Sequence, residues 1–124
     1  MSGGPAFEIP VRPQRRFPFG GGVEYEGSTT FLLHPESDPK GRLAELVADL
    51  LAAGPYRYGD FLNLPMPLYL VKDTGTGDVF RLSVRDGTVR LHVLPATGSA
   101  GLRALYDRLD SRTATAWRVE CRTD

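Results

Sequence analysis

The fold turns on the stretch Asp78-Val79-Phe80-Arg81-Leu82-Ser83-Val84-Arg85-Asp86-Gly87-Thr88-Val89-Arg90-Leu91-His92-Val93-Leu94. Two runs of alternating apolar and polar residues flank Asp86-Gly87. An Asp-Gly pair suits a type I′ turn, in which both central residues take positive φ. Centring the hairpin on that turn pairs Val84 with Val89, Leu82 with Leu91 and Phe80 with Val93. All six then point to one face, as a correct register requires. Leu68–Asp73 is a third alternating run, joined through Thr74-Gly75-Thr76-Gly77. That turn sets Val71 opposite Phe80 and Tyr69 opposite Leu82, again on the same face.

The same register fixes the opposite face. Its cross-strand rows are Lys72–Val79–Leu94, Leu70–Arg81–His92 and Leu68–Ser83–Arg90, with Arg85 beyond. One end is apolar and the other basic. Leu68, Leu70, Val79 and Leu94 form an apolar cluster of the kind that marks interaction surfaces. Arg81, Arg85, Arg90 and His92 form a basic patch with charge-assisted donors for a phosphate or carboxylate. The competing reading of that patch is a solvated face whose charges discourage edge pairing.

Two amphipathic helices flank the strands. Leu43, Leu46, Val47, Leu50 and Leu51 fall at helical spacing, with Asp38 and Pro39 at the start and Gly54-Pro55 at the exit. Leu102, Leu105, Tyr106 and Leu109 repeat the pattern near Ala100–Asp110, where Ser99 reads as the cap. Trp117, Val119 and Cys121 alternate with Arg118, Glu120 and Arg122 in a last strand, which points Cys121 into the core as an inert thiol. Val23–His34 reads as a hairpin around Gly27-Ser28, pairing Tyr25 with Thr30 and Val23 with Leu32. Tyr56–Leu64 fits no single element. Consecutive hairpins need antiparallel pairing, and two amphipathic helices cover one face of such a sheet. The expected fold is therefore α+β, a two-layer sandwich whose mainly antiparallel sheet has about five to six strands, with both helices on one face.

Residues 1–22, with Pro5, Pro10, Pro13 and Pro18 before Gly20-Gly21-Gly22, read as a Pro/Gly-rich N-terminal arm ahead of a single domain over 23–124. Phe7, Ile9, Val11, Phe17 and Phe19 supply apolar surface for docking it. Either the arm or a partner subunit is expected to cover the apolar cluster.

The 124 residues balance 15 basic against 15 acidic side chains, which argues against a large nucleic-acid footprint. Arg15-Arg16-Phe17-Pro18-Phe19 interleaves cations and aromatics as single-strand binders do, but over only this short run. No run approaches the roughly 18 apolar residues of a membrane span, and Met1–Pro5 lacks the basic start and apolar run of a signal peptide. Cys121 is the one cysteine, so no intrachain disulfide forms and a cytoplasmic location is expected. Thirteen arginines accompany only two lysines, Lys40 and Lys72. Arginine's planar fork suits phosphates and carboxylates, although codon bias produces the same excess.

Catalytic patterns are weak. Ser99 lacks the glycine two positions earlier that a nucleophile elbow needs. No P-loop or strand-linked Gly-x-Gly-x-x-Gly is present. His34, Glu36 and Asp38 offer three possible metal ligands without a fourth, and also read as a strand end, turn and cap. Tyr56, Tyr58, Asp60 and Asn63 form a polar-aromatic cluster that suits a small cleft between helix and sheet. No cofactor and no metal are expected. The leading expectation is a non-enzymatic module that binds a protein partner or itself through the open sheet face and the arm. One alternative is a small-ligand or anion-binding domain using the basic end of the sheet. The other is an enzyme whose motif is too dispersed to read.

Overall fold

The computed structural model describes residues 7–16, 21–22, 24–37, 42–60 and 68–123. The elements in chain order are β1 (Gln14–Arg16), β2 (Glu24–Glu26), β3 (Thr29–Pro35), α1 (Leu43–Ala53), β4 (Tyr56–Asp60), β5 (Leu68–Asp73), β6 (Val79–Arg85), β7 (Thr88–Val93), α2 (Ser99–Ser111) and β8 (Trp117–Thr123). Six strands form one antiparallel sheet in the order β4-β5-β6-β7-β3-β8, and β1 pairs with β2 in a separate two-stranded sheet. With its two helices this is an α+β fold, consistent with a two-layer sandwich. No helix among the described residues is long and apolar enough to cross a membrane.

The β5–β6–β7 ladder has the expected register, with Val71 on Phe80, Phe80 on Val93, Leu82 on Leu91 and Val84 on Val89. Asp86 and Gly87 both take positive φ, at 52° and 70°, as a type I′ turn demands. Phe31 and Leu33 of β3 continue the inward rows against Leu91 and Val89. Leu43, Val47, Leu50 and Leu51 of α1 and Leu102, Leu105 and Leu109 of α2 bury against these residues in one cluster. Each such leucine contributes about 1.5–3 kcal/mol of burial energy, which holds the two layers together. Asp38 and Pro39, the expected start of the first helix, lie outside the described residues, and α1 begins after Arg42.

Three expectations are corrected here. Tyr25 faces Arg15, not Thr30, because β2 pairs with β1 while β3 is taken on both sides by β7 and β8. Gly27 is thus a crossing point between two sheets and not a hairpin turn. Its φ is 83°, and an added Cβ would stand 2.6 Å from Val11 Cγ1. Tyr56–Asp60 is an edge strand on β5, placing Tyr56 opposite Asp73. Ser99 does not cap α2. The Gly101 amide donates instead to Asp78 Oδ2 at 2.7 Å, so a carboxylate from the β5–β6 turn serves the helix N-terminus.

The described part of the arm docks on the body. Phe7 is buried on the helix side, edge-on to Phe31 at 5.1 Å and tilted on Tyr106 at 5.7 Å. The Val11 amide donates to Thr29 Oγ1, whose hydroxyl returns a bond to the Val11 carbonyl. Arg12 donates to the Thr97 carbonyl ahead of α2. These contacts carry the described arm into the helix layer and along one end of the sheet, where Pro13 reaches the space walled by Leu68 and Leu94 but Leu70 stays exposed.

Candidate functional site

Side chains alternate along each strand, so the face away from the helices is set by the same ladder. Two of its rows matter. One runs Leu70–Arg81–His92–Thr30–Arg122 and the other Leu68–Ser83–Arg90–Leu32–Glu120. Arg81, Arg85, Arg90 and His92, the four residues of the expected basic patch, line one cavity of about 750 Å³. Leu68 and Leu94 from the apolar cluster wall the same space, and Pro13, Gly27 and Ser28 close it at the base of the β1–β2 sheet. No carboxylate of the described side chains lines it. Leu70 and Val79 lie outside it. Leu70 is 43% exposed, while Val79, Leu68 and Leu94 are half-buried.

The groove's chemistry centres on His92 and Arg90. His92 Nε2 lies 3.0 Å from the Ser83 hydroxyl and Nδ1 lies 3.5 Å from Thr30 Oγ1, so one ring nitrogen donates and the other accepts. Burial lowers the His92 pKa, and the charges of Arg90 and Arg81 lower it further, so the imidazole is neutral at pH 7. Arg90 Nε is buried without a hydrogen-bond partner. An unpaired donor at the wall of a basic cavity favours an acceptor entering from outside. A smaller cavity of about 300 Å³ adjoins the first through Ser28, Arg90 and His92, and adds Thr30, Leu32, Arg122 and Thr123. Arginine forks beside a neutral imidazole and hydroxyls can hold an oxyanion by charge and by several directed bonds.

Beside the groove, a second network crosses three strands. His34 Nε2 donates to Glu120 Oε1 at 3.0 Å, and His34 Nδ1 hydrogen-bonds with Thr88 Oγ1 at 3.2 Å. Glu120 also accepts from Arg122 Nε at 2.7 Å and lies 3.8 Å from Arg118. The Arg122 bond, then that of His34, lowers the Glu120 pKa. This network binds β8 to β3 and orients Arg122 at the smaller cavity. Ser83, Thr30 and Glu120 have strand positions in the sequence reading but no role in the site there. Ser83 and His92 are diagonal neighbours within the expected hairpin and were legible in principle, whereas His34 and Glu120 are 86 residues apart and meet only through the β3–β8 pairing.

The remaining candidates separate. His34 is engaged with Glu120 and Thr88, and the described residues contain no cluster of three or more His, Cys, Asp or Glu able to hold a metal. Cys121 is exposed, contrary to expectation. It is in phase with the core, opposite Phe31, but on the edge strand β8. Partial desolvation raises its pKa. Tyr56 is buried and accepts from Arg108 at 2.9 Å, with Arg108 3.8 Å from the buried Asp73 carboxylate, while Tyr58 stands exposed against Tyr69. Those tyrosines are thus split between core and surface, and Asn63 lies outside the described residues. Another cavity, of about 430 Å³, lies at α1 and the 112–115 turn, where Arg42 and Arg112 face Glu45 and Asp49 and leave no net charge preference. No family model, curated protein or solved structure matches the chain.

Proposed function

We propose that this protein is a binding module for a small anion, held in the groove on the open face of the sheet. The observation that carries the reading is the convergence of Arg81, Arg85, Arg90 and His92 on one cavity with no carboxylate among the described side chains that line it. Leu68 and Leu94 form an apolar wall there, and the lower polarity beside them strengthens the arginine contacts. Arg90 Nε, buried and unpaired, gains a partner when an oxyanion arrives. The test is thermal unfolding with and without sulfate or phosphate. The unaltered protein is stabilised, and Arg81→Ala combined with Arg90→Ala abolishes the shift. An unchanged shift in the double variant refutes the reading.

A protein-contact role is the second reading, and Leu70 supports it. It is one of two exposed large hydrophobics among the described residues and stands in the row beside Arg81. Self-association or partner binding through it predicts a solution mass above the monomer that falls with Leu70→Lys. A strict monomer with no change refutes self-association. An exposed lone cysteine suits a reducing compartment, and the cytoplasm is the location we propose.

A further inference from the structure

We infer that the ligand is an oligophosphate chain lying across the strands, with Arg81 and Arg85 at one end, Arg90 and His92 beneath its middle, and Arg122 at the other end. The inference rests on the anion-binding reading of the groove and names its ligand class.

Three observations carry it. First, the two cavities adjoin, with Ser28, Arg90 and His92 lining both. A ligand that occupies both lies across them as along a trough. Second, its cations are spread along it. Arg81 and Arg122 share one cross-strand row through His92 and Thr30, which separates their backbones by three strand spacings, roughly 14 Å. One phosphate or carboxylate meets the arginines at one end only, whereas a phosphate chain meets both ends and carries enough charge to compensate them. Third, the charge of the molecule is segregated. The chain as a whole is balanced, yet Arg57, Lys72 and Arg118 flank the trough on the same face, and Glu120 is the one carboxylate among the described side chains there. A face of one sign concentrates a multivalent anion far better than a monovalent one.

The same face argues against a single-stranded nucleic acid. Among its described residues no Phe, Tyr or Trp stands on the outward rows, so these rows offer bases none of those rings to stack on. Recognition therefore falls on the phosphates. Free polyphosphate and the phosphate tail of a nucleotide share this chemistry, and comparing tripolyphosphate with ATP separates them.

The test is calorimetric titration of the full chain with orthophosphate, tripolyphosphate, ATP and a short oligothymidylate at one ionic strength. Tripolyphosphate is expected to bind at least tenfold tighter than orthophosphate. Arg122→Gln keeps a donor for Glu120 but removes the charge, and is expected to pull the tripolyphosphate-to-orthophosphate ratio toward one. Binding of ATP within a few-fold of tripolyphosphate supports the shared phosphate chemistry, and far weaker ATP binding restricts the ligand to the free chain. Equal affinity for the two inorganic anions, or a ratio unmoved by Arg122→Gln, overturns the inference while leaving the groove reading intact. Tighter binding of oligothymidylate than of tripolyphosphate overturns it in favour of nucleic acid. Failure of every anion to bind the unaltered protein refutes the groove reading itself.

Discussion

Replacing Arg90 with methionine is expected to move stability and affinity in opposite directions. In the free protein the Arg90 Nε is buried and lacks an acceptor, and an orphaned donor costs about 1–3 kcal/mol. Methionine keeps an apolar stem of similar length over Leu32 and Ser83, so packing is largely retained. It also removes one cation from the neighbourhood of Arg81 and Arg85. The free variant should therefore gain about 1 kcal/mol, which at this chain length raises Tm by roughly 4 °C. A bound anion, in contrast, loses charge-assisted bonds worth about 1.5–3 kcal/mol, a weakening of roughly 10- to 150-fold. With anion at 100 times the unaltered protein's Kd, ligand stabilisation is about 2.7 kcal/mol, and a 30-fold weaker variant retains about 0.9 kcal/mol. Urea unfolding with and without tripolyphosphate reads both quantities from one pair of curves. A free variant destabilised by more than about 1 kcal/mol, with ligand stabilisation intact, would show Arg90 to be a structural clamp and refute the reasoning.

Two further outcomes follow from the same geometry. Asp78→Ala removes the acceptor for the Gly101 amide and should cost about 1 kcal/mol. Gly101→Ala places a Cβ 2.7 Å from Asp78 Oδ2 and should cost at least as much, but because Asp78→Ala removes that carboxylate and both changes disturb the same Gly101–Asp78 bond, urea curves of the double variant should show a loss smaller than the two together by about 0.5 kcal/mol or more. His92 sets a pH dependence. Its folded pKa lies below the ordinary 6.5, so the unfolded chain binds more protons just below that pH and stability falls as pH drops through it. Bound anion favours the imidazolium and should shrink that fall. His92→Gln should flatten it, and a slope below pH 6.5 unchanged in His92→Gln assigns the effect to another group.

What the sequence disclosed and what it hid follow from the range of the interactions. The β5–β7 ladder was legible because an Asp-Gly turn and strict alternation locate it within adjacent residues. With the ladder came the outward rows, and hence Arg81, Arg85, Arg90 and His92 on one face. The Gly27-Ser28 hairpin failed because local turn chemistry at Gly27 looks the same whether the chain folds back or crosses to a second sheet. Position along the chain also concealed the cap of α2. Ser99 stands in the right place, but Asp78 from a turn 23 residues earlier fills the role. Cys121 keeps the phase of a core residue, and only the strand order reveals β8 as an edge where that phase no longer means burial. The smaller lobe of the trough depends on Arg122 meeting the row of His92, which no local pattern specifies.

The most direct test of the anion site is an amide chemical-shift titration of the protein with tripolyphosphate. Resonances of Arg81–Arg85 and Arg90–His92 should move together along one saturable curve, while those of α1 stay in place. Shifts confined to the α1 and 112–115 cavity, with the β6 and β7 amides unmoved, would contradict the assignment of binding to the open face of the sheet.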